Sequence, residues 1–143
     1  MQHRLLFSAA LTALALLALP GCSGGAGQHA EHSPSPSPCR APRKAVLPHT
    51  DGMLTEDDGG ARVCAKRGQV IAVFLNAHTQ DRQDFWTPIT AHPEKSVRRE
   101  NTGVMTLPIG VTAALFSPTA TGDVELASRR KSGATWKATL VVR

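Results

Sequence analysis

The chain has 143 residues, a formal net charge of +5 from 16 Lys and Arg against 11 Asp and Glu, and 41% hydrophobic but only 4% aromatic residues. This length is enough for one modest domain with its own core. The basic excess falls in the clusters Arg40/Arg43/Lys44, Arg98/Arg99 and Arg129/Arg130/Lys131, with no interleaved aromatic residues, which argues against nucleic acid as a partner and suits anionic lipid or wall polymer better.

His3 and Arg4 precede an apolar run over residues 5–19, broken only by Ser8 and Thr12. This is the layout of an export signal, and the run is shorter than the roughly 20 apolar residues a spanning helix needs. It ends in Leu19-Pro20-Gly21-Cys22. Pro20 and Gly21 disfavour continued helix and expose the backbone to a peptidase. A small residue before a cysteine at this place resembles the lipobox of bacterial lipoproteins. The resemblance implies cleavage behind Gly21 and a diacylglyceryl thioether on Cys22. Two acyl chains, at about 0.8 kcal/mol per buried CH₂, would hold the protein on the extracytoplasmic face of the cell membrane.

The expected organisation is thus a lipoprotein signal peptide over 1–21, a lipidated cysteine and linker over 22–38, and a folded domain over 39–143. In the linker, Ser23-Gly24-Gly25-Ala26-Gly27 is flexible and the Ser-Pro alternation over 33–38 favours polyproline II. The segment has too few apolar side chains to offset its ordering entropy, and His29 and His32 on such a chain make a poor metal site. With Cys22 assigned to lipid, Cys39 and Cys64 are expected to form a disulfide in an exported protein. Two free thiols are the alternative.

Beyond residue 60 strand signals dominate. Residues 61–65 form the first expected strand, and Lys66-Arg67-Gly68 a turn. In 69–75, Ile71, Val73 and Leu75 share one face while Val70, Ala72 and Phe74 fill the other, which predicts an inner strand. Residues 85–89 follow, with Pro88 marking an edge or bend. Signals at 97–99 and 104–107 are weaker; 111–117 is strong, and Gly122 turns the chain into 123–129. In 136–142, Trp136, Ala138, Leu140 and Val142 face inward and Lys137 and Thr139 outward. No window shows a 3.6-residue apolar period. About seven short strands with regular turn signals predict an all-β fold, a single antiparallel immunoglobulin-like β-sandwich. A small barrel is the alternative.

Catalytic chemistry is not written in these residues. G-x-S-x-G, H-E-x-x-H, P-loop and paired C-x-x-C patterns do not occur. Ser128 and Lys131 fit S-x-x-K but fall in one strand-to-turn segment, not at the start of a helix. His49 and Met53 lack further copper ligands at a linked spacing, and Asp57-Asp58 beside Gly59-Gly60 reads as a turn rather than a calcium loop. The chain is expected to be no enzyme and to carry no metal and no cofactor.

Binding is expected on loops held by the sandwich. In an immunoglobulin-like fold the loops after the second and the sixth strands lie at one end, which brings 76–84 near 130–135. The candidate contact residues are Asn76, His78, Thr79 and Arg130. Residues 68–143 also resemble the chagasin-like inhibitors of papain-type cysteine peptidases. Asn76-Ala77-His78-Thr79-Gln80 stands where that family has N-P-T-T-G, matching at Asn76 and Thr79, with Trp86 beyond. Leu107-Pro108-Ile109-Gly110 stands in place of the Gly-rich middle loop, matching at Gly110. Arg130-Lys131-Ser132 stands in place of R-P-W or R-P-F and keeps the arginine. The resemblance implies an immunoglobulin-like domain. The expected function is a membrane-anchored, non-catalytic module for an unknown protein or envelope ligand; peptidase inhibition is the alternative.

Overall fold

The structure is a computed structural model that describes residues 38–103 and 106–143. The expected signal peptide, lipidation at Cys22 and most of the linker lie outside the described residues. Alternating side chains organise the rest into strands β1 (Gly52–Thr55), β2 (Arg62–Ala65), β3 (Ile71–Asn76), β4 (Thr90–His92), β5 (Val97–Glu100), β6 (Val111–Pro118), β7 (Gly122–Arg129) and β8 (Thr135–Val142). Single 3-10 turns stand at Glu56–Asp58, Arg82–Asp84 and Glu94–Ser96. The strands form two four-stranded sheets, ordered β1-β3-β6-β5 and β2-β8-β7-β4. The fold is the all-β, immunoglobulin-like sandwich that the alternation predicts.

Two pairings depart from an all-antiparallel arrangement. β1 runs parallel to β3, and β2 parallel to β8, so both sheets are mixed. Because β1, β2 and β3 alternate between sheets, neighbours within a sheet are not joined by hairpins there, and side-chain alternation cannot dictate their direction. β3 is an inner strand: Ile71, Val73 and Leu75 are fully buried, and so is Ala72 on its reverse face. Trp136, Ala138, Leu140 and Val142 of β8 join the core, with Leu54, Val63, Phe116 and Leu126.

The segment 85–89 is not a strand. The Thr87 N–H donates to the Arg129 carbonyl at 2.9 Å, but Pro88 has no N–H to continue, and the regular ladder to β7 starts only at Thr90. Residues 106 and 107 likewise belong to no strand. β1 was not anticipated.

Each side of the sandwich is closed by side chains or by a strap. Between β4 and β5, Arg99 donates to the Ile89 carbonyl and lies 5.1 Å over the Phe116 ring. On the other side, residues 39–43 cross from one sheet to the other. Arg40 bridges to Val63 of β2 and Arg43 to Met53 of β1, which covers the two open edges. The strap is pinned by a disulfide between Cys39 and Cys64, with Cα atoms 5.1 Å apart. Cys64 stands opposite Val141, at the far end of β8 from Thr135.

Asp58 fastens the strap a second time. It is 1% exposed. Its Oδ2 accepts the Thr55 N–H at 2.7 Å, and its Oδ1 accepts from the guanidinium groups of Arg40 and Arg43. Burial pushes its pKa up, but the Thr55 N–H and the two arginines outweigh burial and hold the carboxyl below its ordinary value.

Candidate functional site

The loops 77–89, 106–110 and 130–134 meet at the end of the sandwich where β3 and β7 finish and β6 and β8 begin. The first is built from β3 outward. The Asn76 N–H donates to Glu56 Oε2 at 3.1 Å, and the Asn76 Oδ1 accepts the His78 N–H at 2.8 Å, a local turn that competes with further strand. The Asn76 carbonyl accepts the indole N–H of Trp86 at 3.2 Å. His78 sits in the left-handed region at φ 50°, and its ring Nε2 lies 2.7 Å from Glu56 Oε1. Burial pushes the pKa of Glu56 up; its own backbone N–H, that of Asn76 and the His78 ring outweigh burial and hold it below its ordinary value. Thr79 Oγ1 accepts the Asp81 N–H, and Asp81 Oδ1 accepts the Gln83 N–H at 2.9 Å, which starts the 3-10 turn Arg82–Asp84.

That turn carries Asp84 to the third loop. Asp84 Oδ1 accepts the Ser132 N–H at 2.8 Å, and Oδ2 lies 2.5 Å from Arg130 Nη2. Arg130 Nε–H also donates to the Asp84 carbonyl at 2.9 Å, and the guanidinium stands 5.6 Å over the Trp86 ring. The Ser132 N–H, then Arg130, keep the Asp84 carboxyl below its ordinary value. Lys131 Nζ donates to Gln83 Oε1 at 2.9 Å. The structure therefore brings 76–84 and 130–135 together.

The middle loop is seated on the first through Gly110, whose carbonyl accepts the Ala77 N–H at 2.8 Å. Gly110 has φ +85°, and a Cβ there would stand 3.2 Å from the Thr79 carbonyl oxygen, so both backbone conformation and space call for glycine. Just ahead of it, Leu107 and Ile109 are 38% and 60% exposed, and among the described residues only Val46 joins them as an exposed large hydrophobic.

Of the candidate contact residues, Asn76, Thr79 and Arg130 thus serve to brace the loops, and His78 is the one whose side chain is largely exposed, at 68%. Sequence reasoning missed the two carboxylates that tie the loops down, Glu56 and Asp84, and the apolar pair Leu107 and Ile109. An apolar residue held between Pro108 and Gly110 was the available signal, since loops are ordinarily polar. Ser128 and Lys131 do not form a catalytic pair: the Ser128 hydroxyl donates to the Thr87 carbonyl at 2.7 Å while Lys131 bonds Gln83. Among the described residues no group of three or more His, Cys, Asp or Glu side chains converges.

No family model matches the chain, and no curated protein matches it in sequence. Solved structures match it in fold. The cysteine protease inhibitor EhICP2 from Entamoeba histolytica superposes with a TM-score of 0.52 at 14% identity, over 64% of this chain and 93% of that one. Amebosin gives a TM-score of 0.44 at 15% identity, over 68% of this chain and 100% of that one. The likeness to EhICP2 is one of fold.

Proposed function

We propose that this chain is a non-catalytic protein-binding module that engages its partner through the three-loop end, delivered and held outside the cytoplasm by the export signal and a lipid on Cys22. The observation that supports this reading most is the exposed pair Leu107 and Ile109 on a loop seated on the first loop, which is itself braced to the third. Exposed apolar side chains on a rigid scaffold suit the desolvated centre of an interface, and the polar residues around them its rim. Anchoring is tested by labelled palmitate, which should enter the wild type and not Cys22→Ala; equal labelling of both would remove the lipid from this reading.

A second reading, inhibition of a papain-type cysteine peptidase, is favoured by one specific arrangement. Asn76, Thr79 and Gly110, the positions that match the chagasin-like loops, meet at one point, with the Gly110 Cβ position 3.7 Å from Asn76 Oδ1. The fold likeness to a cysteine protease inhibitor supports the same reading. Titrating papain with the full chain decides it. Inhibition that the double variant Leu107→Ser/Ile109→Ser weakens by about tenfold or more, a loss of about 1.4 kcal/mol, supports the inhibitor. Absent inhibition leaves the loop end to another protein, sought as a cross-linked partner that the wild type captures from an envelope extract and the double variant does not.

A further inference from the structure

Beside the loop end, the outer face of the β4-β7-β8 sheet holds a hollow that continues into a second one under the third loop; Thr87, Arg129 and Thr135 border both. The ionisable groups lining this continuous groove are all cationic: Arg129 and Lys137 on the sheet, Arg130 and Lys131 at the loop. These cations differ in what they already do. Arg130 is committed to Asp84 and Lys131 to Gln83. Lys137 meets Glu125 at 3.0 Å, but both side chains are well exposed, and a pair of that kind exchanges readily. The exposed Arg129 side chain has no hydrogen-bonding or ionic partner among the described residues.

Register sets the distance between the two sheet cations. β7 and β8 place Arg129 opposite Thr135 and Ala127 opposite Lys137. Arg129 and Lys137 are therefore diagonal neighbours on one face, about 7–8 Å apart. An extended chain repeats its side chains on one face at about 7 Å, two residues at 3.2–3.4 Å each. Ala127 and Thr135, small residues on the other diagonal, and Pro88 at the rim give the groove a low, partly apolar floor. The one aromatic ring among the residues lining the groove is that of the half-buried Phe85, under the third loop.

We propose that this groove binds an extended acidic peptide segment of a partner protein, with carboxylates at alternate positions, one on Arg129 and the next on Lys137. The second carboxylate displaces Glu125 from Lys137. The two contact residues lie on β7 and β8 beside the loop end, so this binding does not depend on what Leu107 and Ile109 engage.

Spacing makes the test sharper than charge alone. Fluorescein-labelled peptides of the same composition, one with a Glu-Thr-Glu core and one with a Thr-Glu-Glu core, are titrated with the full chain and followed by anisotropy. The alternating peptide should bind about tenfold more tightly than its isomer, and a Gln-Thr-Gln peptide should not bind. Arg129→Gln should weaken the alternating peptide by about tenfold. Arg82→Gln, an exposed cation outside the groove, and Leu107→Ser/Ile109→Ser should leave it unchanged, with melting temperatures confirming that all variants fold. Equal binding of the two isomers, equal losses from Arg82→Gln and Arg129→Gln, or displacement by polyphosphate at lower charge concentration than by the unlabelled peptide would each overturn the proposal, the last in favour of a general polyanion surface.

Discussion

Trp136→Ala should remove about 3–5 kcal/mol of stability, the largest loss expected from any single truncation in this domain. Trp136 is 3% exposed and packs within the core cluster between the sheets. Its indole N–H donates to the Thr55 carbonyl at 3.1 Å, so β8 of one sheet is tied to β1 of the other. Truncation leaves a large cavity and removes this bond between the sheets together. Against the 5–15 kcal/mol typical of a whole domain, that places the variant near the limit of folding. Trp136→Phe separates the two contributions: it retains most of the packing and should cost about 1–2 kcal/mol for the lost hydrogen bond. Urea denaturation followed by far-UV circular dichroism measures both. A Trp136→Ala loss below about 1 kcal/mol would contradict its place in the core.

The second large effect concerns the strap. Cys64→Ser should cost roughly 3 kcal/mol, because the bond between Cys39 and Cys64, 25 residues apart, shortens the loop the unfolded chain can explore. Asp58→Asn should cost about 2 kcal/mol at neutral pH by weakening the contacts to Arg40, Arg43 and the Thr55 N–H. The combined variant should lose less than the sum, since both devices restrain the same five residues, 39–43. The two are told apart by acid. The folded pKa of Asp58 is depressed, so its contribution is full above the ordinary carboxylate range and disappears as pH falls through the folded value. The gap between wild type and Asp58→Asn should therefore begin to close as pH falls below about 4 and vanish only below the depressed folded value, while Cys64→Ser stays apart from wild type. A gap for Asp58→Asn that persists in acid would assign its cost to packing.

Legibility in the sequence followed the physics of burial. β8 could be read because every second residue from Trp136 to Val142 is buried, and β3 because both of its faces are apolar. β1 could not: Gly52-Met53-Leu54-Thr55 is too short to show a period, and its strand conformation comes from pairing with β3. Residues 85–89 carry strand-like composition, yet Pro88 withholds the donor a ladder needs. The disulfide followed from cysteine count and the compartment that the export-signal reading implies. The loop braces did not, because Arg130 and Asp84 stand 46 residues apart and a charge announces no partner. The candidate loops were thus located correctly as neighbours, while the division of labour within them, braces against exposed residues, needed the coordinates.

The strap also has a mechanical consequence. Cys39 is fastened opposite Val141, whereas the loops spring from β8 at Thr135, about 20 Å away along the strand. In a chain tethered ahead of Cys39 and gripped at its loops, tension would run lengthwise through the sandwich. It would leave the tether through the disulfide, bypass residues 40–63, and cross from β2 to β8 over pairs that include Arg62 with Thr139 and Cys64 with Val141. Force along parallel strands loads those hydrogen bonds in shear, so they share it and give way together instead of unzipping in turn. Resistance to pulling is set by the rate of that collective step, and reduction of one bond would reroute the tension through the strap and its carboxylate clasp.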